Sequence, residues 1–351
     1  MNILITCAGQ RGDLIQIFQA ALGTGRVVAC DMDPAAPALA VADRRGVVPR
    51  VDDGSYVERL LELCAEERVD LLFSLNDFEI ALLAREAERF RGVGTRLVIA
   101  DPATVDACLD KWASFELLAG AGMGTPLTFL GVEDALRAVA DGTVGFPLIV
   151  KSRWGTSSLG GIEVVHDARE LELVWELGNR RMERLIARGA LPGIGSYFAR
   201  LRDRGGPTTP MLIQERAEGP EYGLDVVNDL DGRYQATLMR HKQVVRGSEA
   251  DVAVTVASEE LEALGRRLGE LVGQPGNLNC DVIESPRGLV VIDLNPRFGT
   301  SYPYTQLAGA DVPAALVAWA MGTQPDPRWL RCRTGLTIRR TNAYVVMDDR
   351  S

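Results

Sequence analysis

The chain has 351 residues, 38 Lys+Arg against 48 Asp+Glu, a formal net charge of -10, 46% hydrophobic and 25% charged residues. That length supports two or three domains with a sizeable core, and the composition is that of an ordinary globular protein, which excludes a staple-dependent miniprotein and long disorder. The acidic balance argues against broad contact with nucleic acid or anionic membrane while leaving room for a small basic pocket that takes phosphates.

Six cysteines, at positions 7, 30, 64, 108, 280 and 332, form no C-x-x-C pair and sit mostly in apolar runs, so they read as reduced core residues. Met1-Asn2-Ile3-Leu4-Ile5 enters a strand-like run without a basic leader. The longest apolar stretches, such as Ala314 to Met321, fall short of the ~18–20 residues of a membrane helix. A cytoplasmic location and no membrane contact are expected. Ala314 to Met321 reads as core in preference to a dimer face, although a homodimer stays open.

The first hundred residues alternate short apolar strands with helical patterns, the signature of an α/β, doubly wound parallel sheet. Strands are expected at Asn2–Thr6, Val27–Asp31, Leu71–Ser74 and Leu97–Ile99, with helices over 13–22, 56–67 and 78–90. Gly9-Gln10-Arg11-Gly12 after the first strand, with Asp31 ending the second, has part of a dinucleotide fingerprint. The glycine set is incomplete, so a tight strand-to-helix turn is the preferred reading and no NAD site is inferred.

Beyond Asp106 the rhythm becomes mixed. Phe146 to Lys151 is a short buried strand ending in a cation, and Gly155 to Gly161 is a small-residue loop followed by a return strand, Ile162 to Val165. A helical pattern from Leu171 to Arg204, interrupted at 189–193, carries many arginines and reads as a solvated face.

Three segments carry chemistry. The first pairs Asp110-Lys111 with Lys151 and its Gly/Ser loop, where ammonium groups and unpaired backbone amides can converge on polyphosphate oxygens. The second, Met211 to Val227, has two strands flanking a polar bend, whose backbone can meet a flat base while Glu221 reaches ribose hydroxyls. The third is a hairpin, Asn279 to Arg297, whose alternation groups Asp281, Asp293 and Asn295 as oxygen ligands suited to Mg²⁺. Arg297 beyond them reads as an unscreened cation facing phosphate. Taken singly, each segment also has a plain structural reading as turn, hairpin or ion-pair cluster.

In this order, Lys111, Lys151 with Gly155 to Gly161, Gln214 to Glu221, Asp281, then Asp293-x-Asn295-Pro296-Arg297 resembles the ATP-grasp superfamily, and most closely the branch of the carbamoyl phosphate synthase large chain and amino-acid ligases. The resemblance covers nearly the whole chain. It implies a Rossmann-like pre-ATP-grasp domain over 1–102, a lid subdomain with a helical insertion over 103–210, and an α+β nucleotide and metal subdomain over 211–351. It implies ATP and Mg²⁺ as cofactors, with Lys111, Lys151 and the loop residues Ser157, Ser158 and Gly160 on the phosphates. Gln214, Glu215 and Ala217 would line the adenine, and Glu221 would take the ribose. Asp281, Asp293 and Asn295 would hold Mg²⁺, and Arg297 would steady the transferred phosphoryl group.

Arg246, in a loop with Gly247-Ser248-Glu249, is a candidate for gripping a substrate carboxylate, and Asn76, Asp77 and Glu79 stand at a strand end where α/β sheets place ligands. The chain departs from the family in Asp293, where Glu is usual, in Trp154 beside the small-residue loop, and in a long Arg-rich stretch over 176–206. The implied activity is ATP-dependent joining of a carboxylate to an amine, amino acids or small acids, through an acyl phosphate. Carboxylation or carbamoyl-phosphate chemistry on bicarbonate is the alternative enzyme reading, and a regulatory nucleotide-binding protein without turnover the non-enzymatic one.

Overall fold

The computed structural model describes residues 1–155, 161–191, 193–246 and 249–341. Its contacts divide the chain into two compact units. The first contains residues 1–105, 222–280 and 295–351, and the second residues 106–221 and 281–294.

In the first unit a five-stranded parallel sheet has the order Arg44–Val47, Arg26–Asp31, Asn2–Thr6, Leu71–Ser74, Arg96–Leu97. Its three central strands, Arg26–Asp31, Asn2–Thr6 and Leu71–Ser74, are buried on both faces, which explains their nearly continuous apolar sequences. Period-2 alternation sends Ile3, Ile5, Val27, Ala29, Leu71 and Phe73 into one core. Leu4, Val28, Cys30 and Leu72 enter another, with Tyr56, Leu60 and Phe90. The first core also takes Val227, Leu238, Phe298, Tyr302 and Leu316, so the later segments of this unit share it with the parallel sheet. Phe18 packs between Phe73 and Phe298, with ring centroids at 4.8 and 5.9 Å.

The helix expected over 78–90 is instead Asp77–Leu83, a 3₁₀ turn Ala84–Glu86, and Ala87–Gly92. Arg85 donates its guanidinium to the Ala81 carbonyl, the acceptor that the regular ladder uses at that point. Of the run Ala314 to Met321, Ala314 to Ala318 are core within the helix Val312–Ala320, whereas Ala320 and Met321 are exposed. All six cysteines are free, four of them buried. Among the described residues no helix is long and apolar enough to cross a membrane.

The remaining strands of the first unit, Glu221–Asn228, Tyr234–Arg246, Glu249–Thr255 and Thr337–Arg339, follow Gly276–Ser285 in one sheet. The strand Gly276–Ser285 begins in the first unit and ends in the second, where it neighbours Gly288–Asn295.

The second unit has an antiparallel sheet of order Thr128–Phe129, Met211–Glu215, Leu148–Ser152, Ile162–Val165. Helices Lys111–Gly120, Val132–Ala140, Ala168–Ala187 and Ile194–Asp203 accompany it. Asp167 caps the long helix by accepting from the Glu170 amide at 2.8 Å. Two close approaches bring the hairpin 281–294 to this sheet's loops. The Gly124 carbonyl accepts from the Val291 amide at 2.9 Å, and a side chain at Gly124 would meet the Leu289 carbonyl. Gly219, at φ +146°, lies so close to Glu284 that a Cβ there would be 1.9 Å from its carbonyl oxygen.

Candidate active site

Lys111 is the first residue of the helix Lys111–Gly120, behind the cap Asp110, whose carboxylate accepts from the Trp112 amide at 2.9 Å. The capping geometry fixes where the lysine side chain departs from the backbone. Lys111 is buried, donates to the Gly155 carbonyl at 2.7 Å, and lies 3.4 Å from the Asp293 carboxylate. Lys151 is buried on the adjacent strand Leu148–Ser152. Its pKa is pushed down to about 8, first by burial and then by the like charge of Lys111, with Asp293 opposing the shift.

Two buried ammonium groups and one carboxylate leave this cluster with a net positive charge where water is scarce. A bound polyanion would offset the cost of such an arrangement.

The sheet register adds a second surface beside the lysines. Lys151 pairs with Leu212 and Ile149 with Gln214, so alternation puts Lys151 and Gln214 on one face of adjoining strands. The Gln214 amide donates to the Thr128 hydroxyl at 3.0 Å. Glu215 accepts from the Leu127 amide at 3.1 Å and forms an ion pair with Arg287. Ala217 is half-buried in the bend that leads through Gly219 to Glu221, and that bend rests on the hairpin through the Glu284 amide, which donates to the Pro220 carbonyl at 2.9 Å. Thus Lys111, Lys151, Gln214, Glu215, Ala217, Glu221, Asp281 and Asp293 all belong to the second unit.

Asn295 and Arg297 belong to the first. Arg297 is not the unscreened cation expected from the sequence. Its guanidinium grips Asp77 in a fork of 2.6 and 3.1 Å and donates to the Asn295 side-chain oxygen at 3.2 Å. Asp77 is 220 positions away in the sequence, so local spacing contained no sign of this neutralising partner. Asn76 caps the helix Asp77–Leu83 by accepting from the Phe78 amide at 2.9 Å. Glu79 is fully buried, and its carboxylate accepts from the hydroxyls of Thr6, Tyr56 and Ser74 at 2.5 to 2.7 Å. Burial raises its pKa, against the pull of these hydrogen bonds. Glu79 is therefore a tie within the parallel sheet and does not face an acceptor site.

Arg246 is exposed and lies 3.5 Å from Asp251. Ser157, Ser158 and Gly160, with Gly247 and Ser248, lie outside the described residues. Asp31 accepts from the amides of Gly9 at 2.8 Å and Asp33 at 3.0 Å, so it shapes the first turn as the tight-turn reading expects.

For a divalent cation, Asp281 and Asp293 in the second unit offer carboxylate oxygens of the kind that suits Mg²⁺, and Asn295, the third residue of the expected set, belongs to the first unit. Asp293 already faces a cation in Lys111. Among the described residues no group of three or more His, Cys, Asp or Glu is placed to hold a metal.

Residues 3–98 match the family described as the PylC-like N-terminal domain, and residues 207–343 match the one described as ATP-grasp in the biosynthetic pathway with Ter operon. The chain belongs to the ATP-grasp superfamily. It is 24% identical over 273 residues to the carbamoyl phosphate synthase large chain of Rubrobacter xylanophilus, covering 74% of this chain and 23% of that one. It is 26% identical over 188 residues to the acetyl-CoA carboxylase of Schizosaccharomyces pombe, covering 53% of this chain and 8% of the relative. This ATP-grasp chain therefore spans under a quarter of the length of these relatives.

Among solved structures, the biotin carboxylase domain of Hydrogenobacter thermophilus 2-oxoglutarate carboxylase, a complex with MgADP, ADP and bicarbonate, has a TM-score of 0.68 at 18% identity, covering 92% of this chain and 70% of that one. The N5-carboxyaminoimidazole ribonucleotide synthetase of Thermotoga maritima has a TM-score of 0.63 at 17% identity, covering 93% and 77%. At such identities the likeness is one of fold, and it matches the expected ATP-grasp architecture.

Four further residues shape the site beyond those expected from the sequence: Asp110 as a cap, and Arg153, Tyr197 and Thr128 through their hydrogen bonds. An Asp just before a helix start signals an N-cap, which could have marked Asp110. The others depend on partners distant in sequence.

Proposed function

We propose that this ATP-grasp chain is an ADP-forming carboxylate–amine ligase that activates an acid with ATP and joins it to an amine, the substrates being amino acids or small acids. The excess positive charge of the buried Lys111–Lys151–Asp293 cluster carries this reading, because triphosphate is the ligand that best offsets it. Lys111 and Lys151 hold the phosphates, Gln214, Glu215 and Ala217 line the adenine, and Glu221 takes the ribose hydroxyls. Ser157, Ser158 and Gly160 are further candidate phosphate contacts on the family resemblance alone. Asp281, Asp293 and Asn295 are the Mg²⁺ ligands, and the ion when bound neutralises charge on the phosphate oxygens.

A carboxylate does not condense with an amine in water because its oxygen is a poor leaving group. Attack of the carboxylate on the γ-phosphorus gives an acyl phosphate and ADP, and the amine then displaces phosphate to form the amide. The chain's part is to position the reactants and stabilise charge, with no protein nucleophile. Arg297 steadies the transferred phosphoryl group while Asp77 fixes the guanidinium, and Arg246 is the candidate grip on the second substrate. A homodimer is compatible with this chemistry, which requires neither nucleic acid nor membrane.

The test is a mass-spectrometric screen of the protein with ATP, Mg²⁺ and pooled amino acids and small carboxylates. Expected are ADP, phosphate and a new mass equal to acid plus amine minus water. AMP as the product, or no nucleotide turnover with any pool, would overturn the reading. The names of the relatives and structural neighbours, several of them carboxylases, favour bicarbonate as the acid in a second reading. In that case ADP release depends on added bicarbonate, and ¹⁸O from labelled bicarbonate enters the released phosphate.

A further inference from the structure

The two lysine-bearing segments of the second unit are laced together. The Lys111 amide donates to the Arg153 carbonyl at 2.9 Å, the Gly155 amide donates to the Leu109 carbonyl at 3.2 Å, and the Lys111 ammonium reaches the Gly155 carbonyl. At the centre of the lacing, the Arg153 guanidinium forks onto the Asp110 carboxylate at 2.8 and 2.6 Å, and both residues are almost wholly buried. Asp110 immediately precedes Lys111 and caps its helix.

A third element enters here. Tyr197, on the helix Ile194–Asp203 of the Arg-rich stretch, donates its hydroxyl to the same Asp110 carboxylate. Burial and the adjoining Asp110 charge push the Tyr197 pKa up, so the hydroxyl stays a donor. Its ring lies 6.0 Å from that of Trp154, and the neighbouring Phe198 ring lies 5.7 Å from the Arg153 guanidinium. Trp154 beside the loop and the Arg-rich stretch, two departures from the family pattern, thus pack together.

We propose that Tyr197 is a positioning residue for the phosphate site: through Asp110 and Arg153 it fixes the backbone from which Lys111 and Lys151 reach their ligand. This rests on the nucleotide reading above. Loss of the hydroxyl leaves a buried carboxylate short of one donor, and the shift needed to recover a donor falls on the residue next to Lys111.

The test is calorimetric titration of the full chain with MgADP and, separately, with adenosine, for wild type, Tyr197→Phe and Arg202→Ala, an exposed position on the same helix. Tyr197→Phe keeps the ring against Trp154. It is expected to weaken MgADP by about tenfold while leaving adenosine within about twofold, with Arg202→Ala unchanged. Arg153→Lys, which cuts the fork, gives the same phosphate-selective loss if Tyr197→Phe does not fold. Equal MgADP affinity in Tyr197→Phe and wild type overturns the proposal, as does an equal loss for both ligands, which marks a general structural role. Wild-type protein that binds neither ligand removes the nucleotide reading itself, a result distinct from both.

Discussion

The Lys111 ammonium and the Asp293 carboxylate lie 3.4 Å apart, joining the start of a helix to the far strand of a hairpin inside one unit. The same ammonium depresses the pKa of Lys151. A pair that looks like a partly buried ion pair is thus also one side of a cluster with surplus positive charge.

The Lys151 pKa has a consequence for stability. A lysine whose folded-state pKa lies below its unfolded value binds fewer protons folded than unfolded between the two. Without ligand, stability should therefore rise as pH increases from about 8 toward 10.5, by at most ~3 kcal/mol from this group. Lys151→Met should be more stable than wild type near pH 7 and lose that rise, as read by urea denaturation across the interval. Equal pH profiles for the two proteins would exclude a depressed Lys151.

Asp293→Asn should lower Mg²⁺-dependent ADP release by ~100-fold or more, since it removes charge from the proposed metal ligand while keeping its volume. The melting temperature should fall as well, because the buried Lys111 ammonium loses the carboxylate 3.4 Å away, so turnover is read at a temperature where circular dichroism shows the variant folded. Undiminished turnover would refute the metal role.

Gly219→Ala should destabilise the protein by more than ~2 kcal/mol. The substitution meets both a positive φ and a carbonyl oxygen 1.9 Å from the new Cβ. Gly94→Ala, also at positive φ but facing open space, should cost ~1 kcal/mol. Denaturant midpoints read both, and equal losses would mean that the contact with Glu284 is easily relieved.

Asp77 and Arg297 should be coupled in a double-mutant cycle by ~1–3 kcal/mol, because Asp77 is buried and the pair is a two-bond fork. Asp77→Ala alone should cost more than its effect in the Arg297→Ala background. Additive losses in urea unfolding would dismiss the pairing.

Much of this molecule was readable before any coordinates. The parallel sheet announced itself in short apolar strands, because burial on both faces demands continuous runs such as Leu71–Ser74. The hairpin around Pro286-Arg287 followed from alternation and turn chemistry. The partners of charged groups were not readable. Arg297 reads as unscreened in the sequence because Asp77 lies in a different segment, and the sequence does not show the tie at Asp110 because Arg153 and Tyr197 reach it from two other elements. Glu79 illustrates the same limit: its position at a strand end suggested ligand contact, whereas three hydroxyls from separate elements enclose it.

The chain passes between its two units at 105/106, 221/222, 280/281 and 294/295. A ribosome therefore delivers both lysines early and their carboxylate, Asp293, late. Until residue 294 has emerged, the nascent second unit lacks a complete hairpin and, with it, the Asp293 carboxylate that faces its buried ammonium pair. Protein ending before residue 281 should leave Lys111 and Lys151 to repel each other, so the second unit cannot be obtained intact by cutting the chain at one point. Recombination between homologues would have to exchange 106–221 and 281–294 together.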